Sequence, residues 1–132
     1  MITRETDYAL RILRVLLDGQ LHTVGQIVQQ ELIPQAFAYK ILKKMDKSGL
    51  VEVVRGASGG CRLAADLSQI SLFDLMAAMG ERSSLSACMD PQFQCPWRAG
   101  RGGCHVHHNL LAIQQKLDDE LRAHSLLQIL TG

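Results

Sequence analysis

The sequence has no long uninterrupted apolar run, and no stretch approaches the roughly 18 apolar residues of a membrane-spanning helix. Its first residues, Met1 to Asp7, are charged and lack the apolar core of a signal peptide. We therefore expect a cytoplasmic protein. Because that compartment is reducing, we expect the four cysteines to be thiols or metal ligands rather than a disulfide framework.

The sequence also has little net charge, formally +1 from 14 basic and 13 acidic residues. A nucleic-acid-binding surface would therefore have to come from local segregation of lysine and arginine. The sequence contains no nucleophile motif, phosphate-binding loop or acid–base pair of carboxylates, so we do not expect an enzyme. Its 132 residues, 47% hydrophobic and 20% charged, suit one globular domain with an extension.

The first half of the chain carries the patterns of three helices. The segment 5–17 is too densely apolar for a one-sided surface helix, which predicts a largely buried one. Thr23 and Gln26 match a capping box, which predicts a short helix from Val24 to about Gln30. Pro34 suits the first turn of a third helix, whose apolar residues recur at three- and four-residue intervals. This order predicts a helix-turn-helix.

A β-hairpin is predicted directly after the third helix. Leu50–Val54 is short and β-branched, 55–60 is a glycine-rich turn, and Cys61–Ala64 can return as a second strand. A hairpin in this position is a wing. The expected fold is therefore mostly α with a small β-hairpin, consisting of a winged helix-turn-helix head and a long C-terminal helix.

The second half of the chain predicts two further helices separated by a loop. Ser71 and Asp74 form a second capping-box pattern, which predicts a helix from Leu72 to Met79. Apolar residues return at helical spacing from about Val106 to Ile129, and such a helix usually packs on a copy of itself, although folding back on its own domain is the alternative. We expect a winged helix-turn-helix DNA-binding domain at 1–80, a cysteine-rich cluster-binding loop at 81–105 and a dimerisation helix at 106–132.

A recognition helix and a wing together predict a surface for double-stranded DNA. Lysines on the third helix supply local positive charge, and an arginine at the wing tip can enter a minor groove. A solvated lysine-rich helix face is the alternative, but the wing that follows favours DNA binding. The candidate DNA-binding residues are Thr23, Gln35, Tyr39, Lys40, Lys43, Lys44, Arg55, Gly56, Ser58 and Gly59.

Three cysteines form a soft-metal ligand set in the predicted loop. Cys88, Cys95 and Cys104 lie within 17 residues, and His107 follows the third cysteine by three positions. Thiolates hold iron–sulfur clusters, whereas three cysteines and one histidine also form an ordinary zinc site. A metal-free thiol switch that forms reversible disulfides is the third alternative. Cys61 lies apart, in a predicted wing strand, and is expected to pack there.

Three stretches carry a resemblance to a known family. They are Thr6–Arg11, the block Leu42–Val51 with its continuation Val54–Gly60, and the cysteine cluster with the helix that follows it. In order and spacing they resemble the Rrf family of winged-helix regulators, including its IscR-like and NsrR-like members. The resemblance implies a transcriptional regulator, here expected to be a repressor, that binds a palindromic operator as a homodimer and senses iron–sulfur status, nitric oxide or redox state.

The resemblance also implies an iron–sulfur cluster bound by Cys88, Cys95 and Cys104. In IscR-like members a histidine shortly after the third cysteine completes the site, which corresponds to His107. In NsrR-like members an acid of the partner's first helix does so, which corresponds to Asp7. The gaps between the cysteines, six and eight residues, are longer than is usual in the family. Both 2Fe-2S and 4Fe-4S clusters are therefore open, with 4Fe-4S favoured by Asp7.

Overall fold

A computed structural model describes residues 2–132, so Met1 of the predicted 1–80 domain lies outside the described residues. Short 3₁₀ turns lie at Leu67–Gln69 and Ala87–Met89. The helices and strands, in chain order, are α1 (Arg4–Leu16), α2 (Val24–Glu31), α3 (Gln35–Lys47), β1 (Val51–Val54), β2 (Gly60–Leu63), α4 (Leu72–Ala78), α5 (His105–Ala123) and α6 (Leu126–Thr131). Within residues 2–132, no helix is both long and apolar enough to cross a membrane.

Local capping determines where α2 and α4 begin. Thr23 accepts a hydrogen bond from the Gln26 amide while the Gln26 side chain accepts one from the Thr23 amide, so the predicted capping box is confirmed. The same reciprocal arrangement joins Ser71 and Asp74 at the start of α4. Leu32 ends α2 in the left-handed conformation, with a φ of 55°.

The two strands form an antiparallel hairpin, in which Val51 pairs with Leu63 and Val54 with Gly60. Cys61 also exchanges backbone hydrogen bonds with His22, at 3.0 and 2.8 Å, which attaches the wing to the segment before α2. Gly60 is required at this contact because a Cβ there would lie 2.3 Å from the His22 carbonyl oxygen. The predicted wing is confirmed, whereas its attachment at His22 was not predicted.

The hydrophobic core lies between α1, α3, the hairpin, α4 and α6. Its fully buried side chains include Ile12, Leu13, Leu16, Ile41, Met45, Leu75 and Leu126. Each such side chain contributes about 1.5–3 kcal/mol through removal from water. An ion pair between α1 and α2 borders this core: Arg14 donates to both carboxylate oxygens of the buried Glu31, at 2.6 and 2.9 Å.

The long C-terminal helix is confirmed, but it ends earlier than predicted. α5 stops at Ala123 because His124 is extended, and Ser125 then caps the separate helix α6. The backbone at this break pairs with the segment before α4: the Leu72 amide donates to His124 and the Leu126 amide to Ile70. The chain therefore turns back, and the fully buried Leu126 joins the core of the head.

Candidate nucleic-acid interface and cysteine cleft

A groove separates α3 from the hairpin. It has a volume of about 420 Å³, and Tyr39 and Lys43 of α3 face Arg55 of the hairpin across it. All three side chains are exposed. Arg55 makes no ion pair among the described residues, whereas Arg62 on the adjacent strand is paired with Glu52 at 2.9 Å. Two structural elements thus bring three of the predicted DNA-binding residues to one surface.

The remaining candidates on the wing form the turn between the strands. Gly56 and Ser58 are exposed, and the Gly59 amide closes the turn on the Gly56 carbonyl at 3.0 Å. A Cβ at Gly59 would lie 2.2 Å from the Val54 carbonyl oxygen, so the tip is tightly folded. Arg55 directly precedes this tight turn and is exposed beside it.

Gln35 and Thr23 lie at two helix starts and differ in what they contact. Gln35 is the first residue of α3 and is exposed, and Pro34 before it supplies no side-chain cap. The first amides of α3 therefore have no capping side chain, a situation in which an anion can accept from them. The Thr23 hydroxyl, in contrast, is already used as the cap of α2.

Lys40 and Lys44 both contact one carboxylate of α1. The Lys40 ammonium lies 2.7 Å from one Glu5 oxygen and the Lys44 ammonium 2.5 Å from the other. Hydrogen bonds from Lys40 and then Lys44 hold the pKa of the Glu5 carboxyl below its usual 4.5, so this carboxylate is charged at neutral pH. From the sequence Glu5 is only a weaker substitute for Asp7 as an acid ligand, and its contacts with these two lysines were not predicted.

A second cleft, of about 560 Å³, lies in the segment between α4 and α5. Cys88, Cys95 and His107 line it, together with Arg98 and Arg101. Cys104 does not line this cleft but is the N-cap of α5, where its sulfur accepts a 3.4 Å hydrogen bond from the His107 amide. The three cysteines are half-buried free thiols. The structure therefore brings the predicted cysteine ligands and His107 to one region.

His107 has an unusual environment among these residues. Its Nδ1 atom is buried and has no hydrogen-bond partner among the described residues. A buried nitrogen without a partner is costly, by about 1–3 kcal/mol, unless it binds something else. A metal centre is such a partner, and thiolate sulfurs with an imidazole nitrogen suit iron or zinc in donor chemistry.

The ligand set is not drawn together in this conformation. Within residues 2–132, no group of three or more cysteine, histidine, aspartate or glutamate side chains is arranged to hold a metal ion. Asp7 does not line the cysteine cleft of its own chain and instead pairs with Arg11 at 3.1 Å. The residue types fit a metal centre, while coordination requires the loop to contract around it.

Gln114 of α5 connects this segment to the long helix and was not predicted as functional. It is buried, accepts a 2.7 Å hydrogen bond from the Leu85 amide, and donates to the Ser83 carbonyl and to Asp118 at 2.9 and 2.8 Å. In the sequence it interrupts the apolar stripe of α5, four residues after Leu110. This polar residue on an apolar stripe was the sequence signal that could have identified Gln114.

Comparison with known proteins gives the same architecture. The Rrf2 family profile, described as an iron-dependent transcriptional regulator, matches residues 2–132. The structure of CymR, the global cysteine regulator of B. subtilis, has a TM-score of 0.72 at 18% identity and covers 99% of this chain and 96% of that chain. This likeness confirms the predicted winged helix-turn-helix fold.

Two curated relatives match over most of the chain. Protein aau3 of Rhizobium meliloti (strain 1021) is 32% identical over 98 residues, covering 72% of this chain and 64% of that protein. The HTH-type transcriptional regulator NsrR of Bacillus subtilis (strain 168) is 29% identical over 92 residues, covering 67% of this chain and 63% of that regulator. The matches therefore span slightly less than two thirds of the length of these relatives.

Proposed function

The chain belongs to the Rrf2 family of DNA-binding transcriptional regulators, and we propose that it is a repressor whose operator affinity depends on a bound iron–sulfur cluster. The family consists of regulators and not of enzymes, in agreement with the sequence-based expectation. In this proposal Cys88, Cys95 and Cys104 hold the cluster. His107, or Asp7 of the partner subunit, supplies the fourth ligand.

Two observations on His107 and its neighbours carry this proposal. Cys88, Cys95 and His107 line one cleft, and the buried His107 Nδ1 has no protein partner among the described residues. A histidine that only packed against its neighbours would normally be hydrogen-bonded. When bound, the cluster would supply a centre that reacts with nitric oxide or oxidants, and a non-cysteine ligand leaves one iron more labile.

This chain's own residues connect the cleft to the long helix in two places. Cys104 is the N-cap of α5, so a change at its sulfur acts directly on the first turn of the helix. Further along α5, Gln114 holds the start of the loop through Ser83 and Leu85. A contraction of the loop would therefore move α5 relative to the head.

A second copy of the chain is the proposed partner of α5. Val106 and Ile113 on this helix are 66% and 54% exposed, and Leu110, Leu117 and Leu121 are only half-buried. A parallel or antiparallel pairing of two such helices would remove this apolar surface from water. Two heads would then contact half-sites of a palindromic operator about one helical turn apart, so a small shift of α5 would change simultaneous docking.

The proposed DNA contacts come from the groove and the wing tip. Tyr39, Lys43 and Arg55 form the exposed surface, and the first turn of α3 with Gln35 adds free amides. Gly56, Ser58 and Gly59 support Arg55 at the tip. Thr23 stays a candidate because it directly precedes Val24 of the groove lining. Lys40 and Lys44 stay candidates whose charge is shared with Glu5.

The experiment is cluster analysis of protein purified without oxygen. We expect a brown protein with broad absorption near ~400 nm and matched iron and acid-labile sulfide. Cys95→Ser should lose the absorption, whereas the matched control Cys61→Ala should keep it because Cys61 lies in the wing strand. A duplex selected from random sequences should bind the loaded and cluster-free forms with different affinities.

Other outcomes identify the alternatives. A colourless protein with one zinc per chain would replace the cluster by a zinc site with the same ligands. A colourless protein that stays metal-free after anaerobic reconstitution, and whose DNA affinity changes with oxidation, would favour a thiol switch. Equal DNA affinity of the loaded and cluster-free forms would contradict the proposed sensing role.

A further inference from the structure

One acidic side chain forms ion pairs with two lysines of α3, the helix proposed to contact DNA. The Glu5 side chain is only 18% exposed, and its two carboxylate oxygens pair with Lys40 and Lys44 of α3. Lys43, on the same helix, makes no ion pair among the described residues and lines the groove. The lysines of α3 therefore differ in whether their charge is available.

The two paired lysines are not equivalent. The Lys44 side chain is 34% exposed, and its ammonium also donates to the Met79 carbonyl at 3.1 Å, so it is fixed to the head by two partners. The Lys40 side chain is 58% exposed and has Glu5 as its single partner among the described residues. Lys40 does not line the groove, but it lies on the same helix as Tyr39 and Lys43, which do. A long, exposed lysine at this position suits a contact with the DNA backbone rather than with the bases.

Glu5 is itself held in place. Its amide donates to the Thr3 hydroxyl at 3.2 Å, and the Thr3 amide donates to Glu81 at 3.3 Å. The first turn of α1 is thus tied to the segment that follows α4. A carboxylate in the first turn of a helix is also favoured by the helix dipole. These contacts fix the carboxylate opposite α3.

We propose that Glu5 withholds Lys40 from the DNA backbone and thereby lowers sequence-independent binding. Phosphate contacts supply most of the non-specific affinity of a DNA-binding protein, and each one releases a counterion. A lysine that stays on Glu5 neutralises no phosphate, whereas the groove residues still contact the bases. Glu5 would therefore raise the ratio of specific to non-specific binding. The inference rests on the proposed use of α3 in DNA binding and is independent of the cluster.

The test is the salt dependence of binding to a duplex of random sequence, measured by fluorescence anisotropy. We expect Glu5→Gln to bind more tightly than the natural chain and to steepen the slope of log K against log [salt] by about 0.9, the value of one added phosphate contact. That change corresponds to about 3.5-fold more affinity lost between roughly 50 and 200 mM salt. The matched control Glu120→Gln removes the same charge from the far end of α5, where Glu120 pairs with His124, and should not steepen the slope.

A double-mutant cycle separates restraint of Lys40 from general loss of negative charge. Lys40→Gln should flatten the slope by about 0.9 in the Glu5→Gln background, but by much less in the natural chain. Lys43→Gln, at an unpaired lysine, should flatten it by about 0.9 in both backgrounds. If Glu5 served only to join α1 to α3, its replacement would lower the melting temperature and leave the slope unchanged.

Several outcomes of the salt-dependence measurements would contradict the inference. Equal effects of Lys40→Gln in both backgrounds, or equal steepening by Glu5→Gln and Glu120→Gln, would overturn the inference. Should Glu5→Gln fail to fold, Lys40→Gln in the natural chain can still overturn the inference, because flattening as large as that of Lys43→Gln would show that Lys40 already contacts phosphate. Absence of salt-dependent DNA binding by the natural chain would instead remove the proposed DNA-binding function.

Discussion

The head and the segment that holds the cysteines are built in opposite ways. Between Arg4 and Met79 the chain buries a continuous apolar core, and Leu126 returns from the C-terminus to complete it. Between Met79 and Gln114, every residue of the described chain is at least partly exposed. Packing therefore specifies the conformation of the head, whereas no such core specifies that of the loop.

The loop is held by a few polar contacts instead. Arg82 pairs with Asp90 at 2.6 Å, the Arg101 guanidinium stacks 4.5 Å from the Trp97 ring, and Gln114 binds the start of the loop. Contacts of this kind are individually weak when they are exposed. A segment organised in this way can change conformation at low cost while the head stays folded, which suits a sensor attached to a rigid DNA-binding domain.

The largest expected difference between the two regions is in the effect of removing an apolar side chain. Leu13→Ala in α1 should lower the free energy of unfolding by about 2–5 kcal/mol, because Leu13 is fully buried. Phe93→Ala in the loop should change it by less than about 0.5 kcal/mol, because Phe93 is 45% exposed. Denaturant unfolding of both variants measures the contrast. Similar losses would mean that the loop is part of the cooperative core.

The cysteine of the head, Cys61, should be less reactive than the three cysteines of the loop. Burial raises the pKa of the Cys61 thiol from 9.0 to about 11, which lowers its thiolate fraction about 100-fold at neutral pH. In reduced protein treated with a chelator, iodoacetamide should therefore modify Cys88, Cys95 and Cys104 and spare Cys61, as counted by mass spectrometry. Denaturant should release the fourth thiol. The variant Cys61→Ala should show three modifications with or without denaturant.

The same pKa shift has a consequence for stability at high pH. The folded state holds the Cys61 proton more tightly than the unfolded chain does, so the contribution of this thiol to stability is complete below pH 9.0. It is lost as the pH rises toward about 11.

In the alkylation experiment, rapid modification of all four cysteines in the native protein would contradict both the burial of Cys61 and its separation from the loop.

Local signals in the sequence predicted the head well. The capping boxes at Thr23 and Ser71 are confirmed. They could be predicted because each depends only on two residues three positions apart in the sequence. The break before α6 was not predicted, because the apolar stripe continues past His124 and the break comes from backbone pairing with Ile70 and Leu72. The attachment of His22 to Cys61 is likewise a long-range backbone contact. Tertiary pairing of this kind leaves no periodic pattern.

The candidate site was predictable in residue type more than in arrangement. Clustered cysteines and the nearby His107 indicated a ligand set from composition and spacing, and the structure places Cys88, Cys95 and His107 at one cleft. The coordination itself stays a prediction. The ion pairs of Glu5 were not predicted, because Glu5 precedes Lys40 by 35 positions and only the packing of α1 on α3 brings them together.

The smallest expected effect concerns the contact that joins the two regions. Replacing Gln114 with Ala removes the acceptor of the Leu85 amide and a donor to Ser83, which should free the start of the loop from α5. We expect hydrogen exchange of the Leu85 amide to become about tenfold faster, consistent with the loss of about 1–1.5 kcal/mol from one hydrogen bond.

The neighbouring Gln115 is exposed, so Gln115→Ala is the matched control and should leave this exchange rate unchanged. Exchange in the core of α1 should stay slow in both variants, since the head does not depend on the loop for its packing. If Gln114→Ala accelerated exchange equally in α1 and in the loop, the two regions would unfold as one unit, and the loop could not move independently of the head as the proposed sensing mechanism requires.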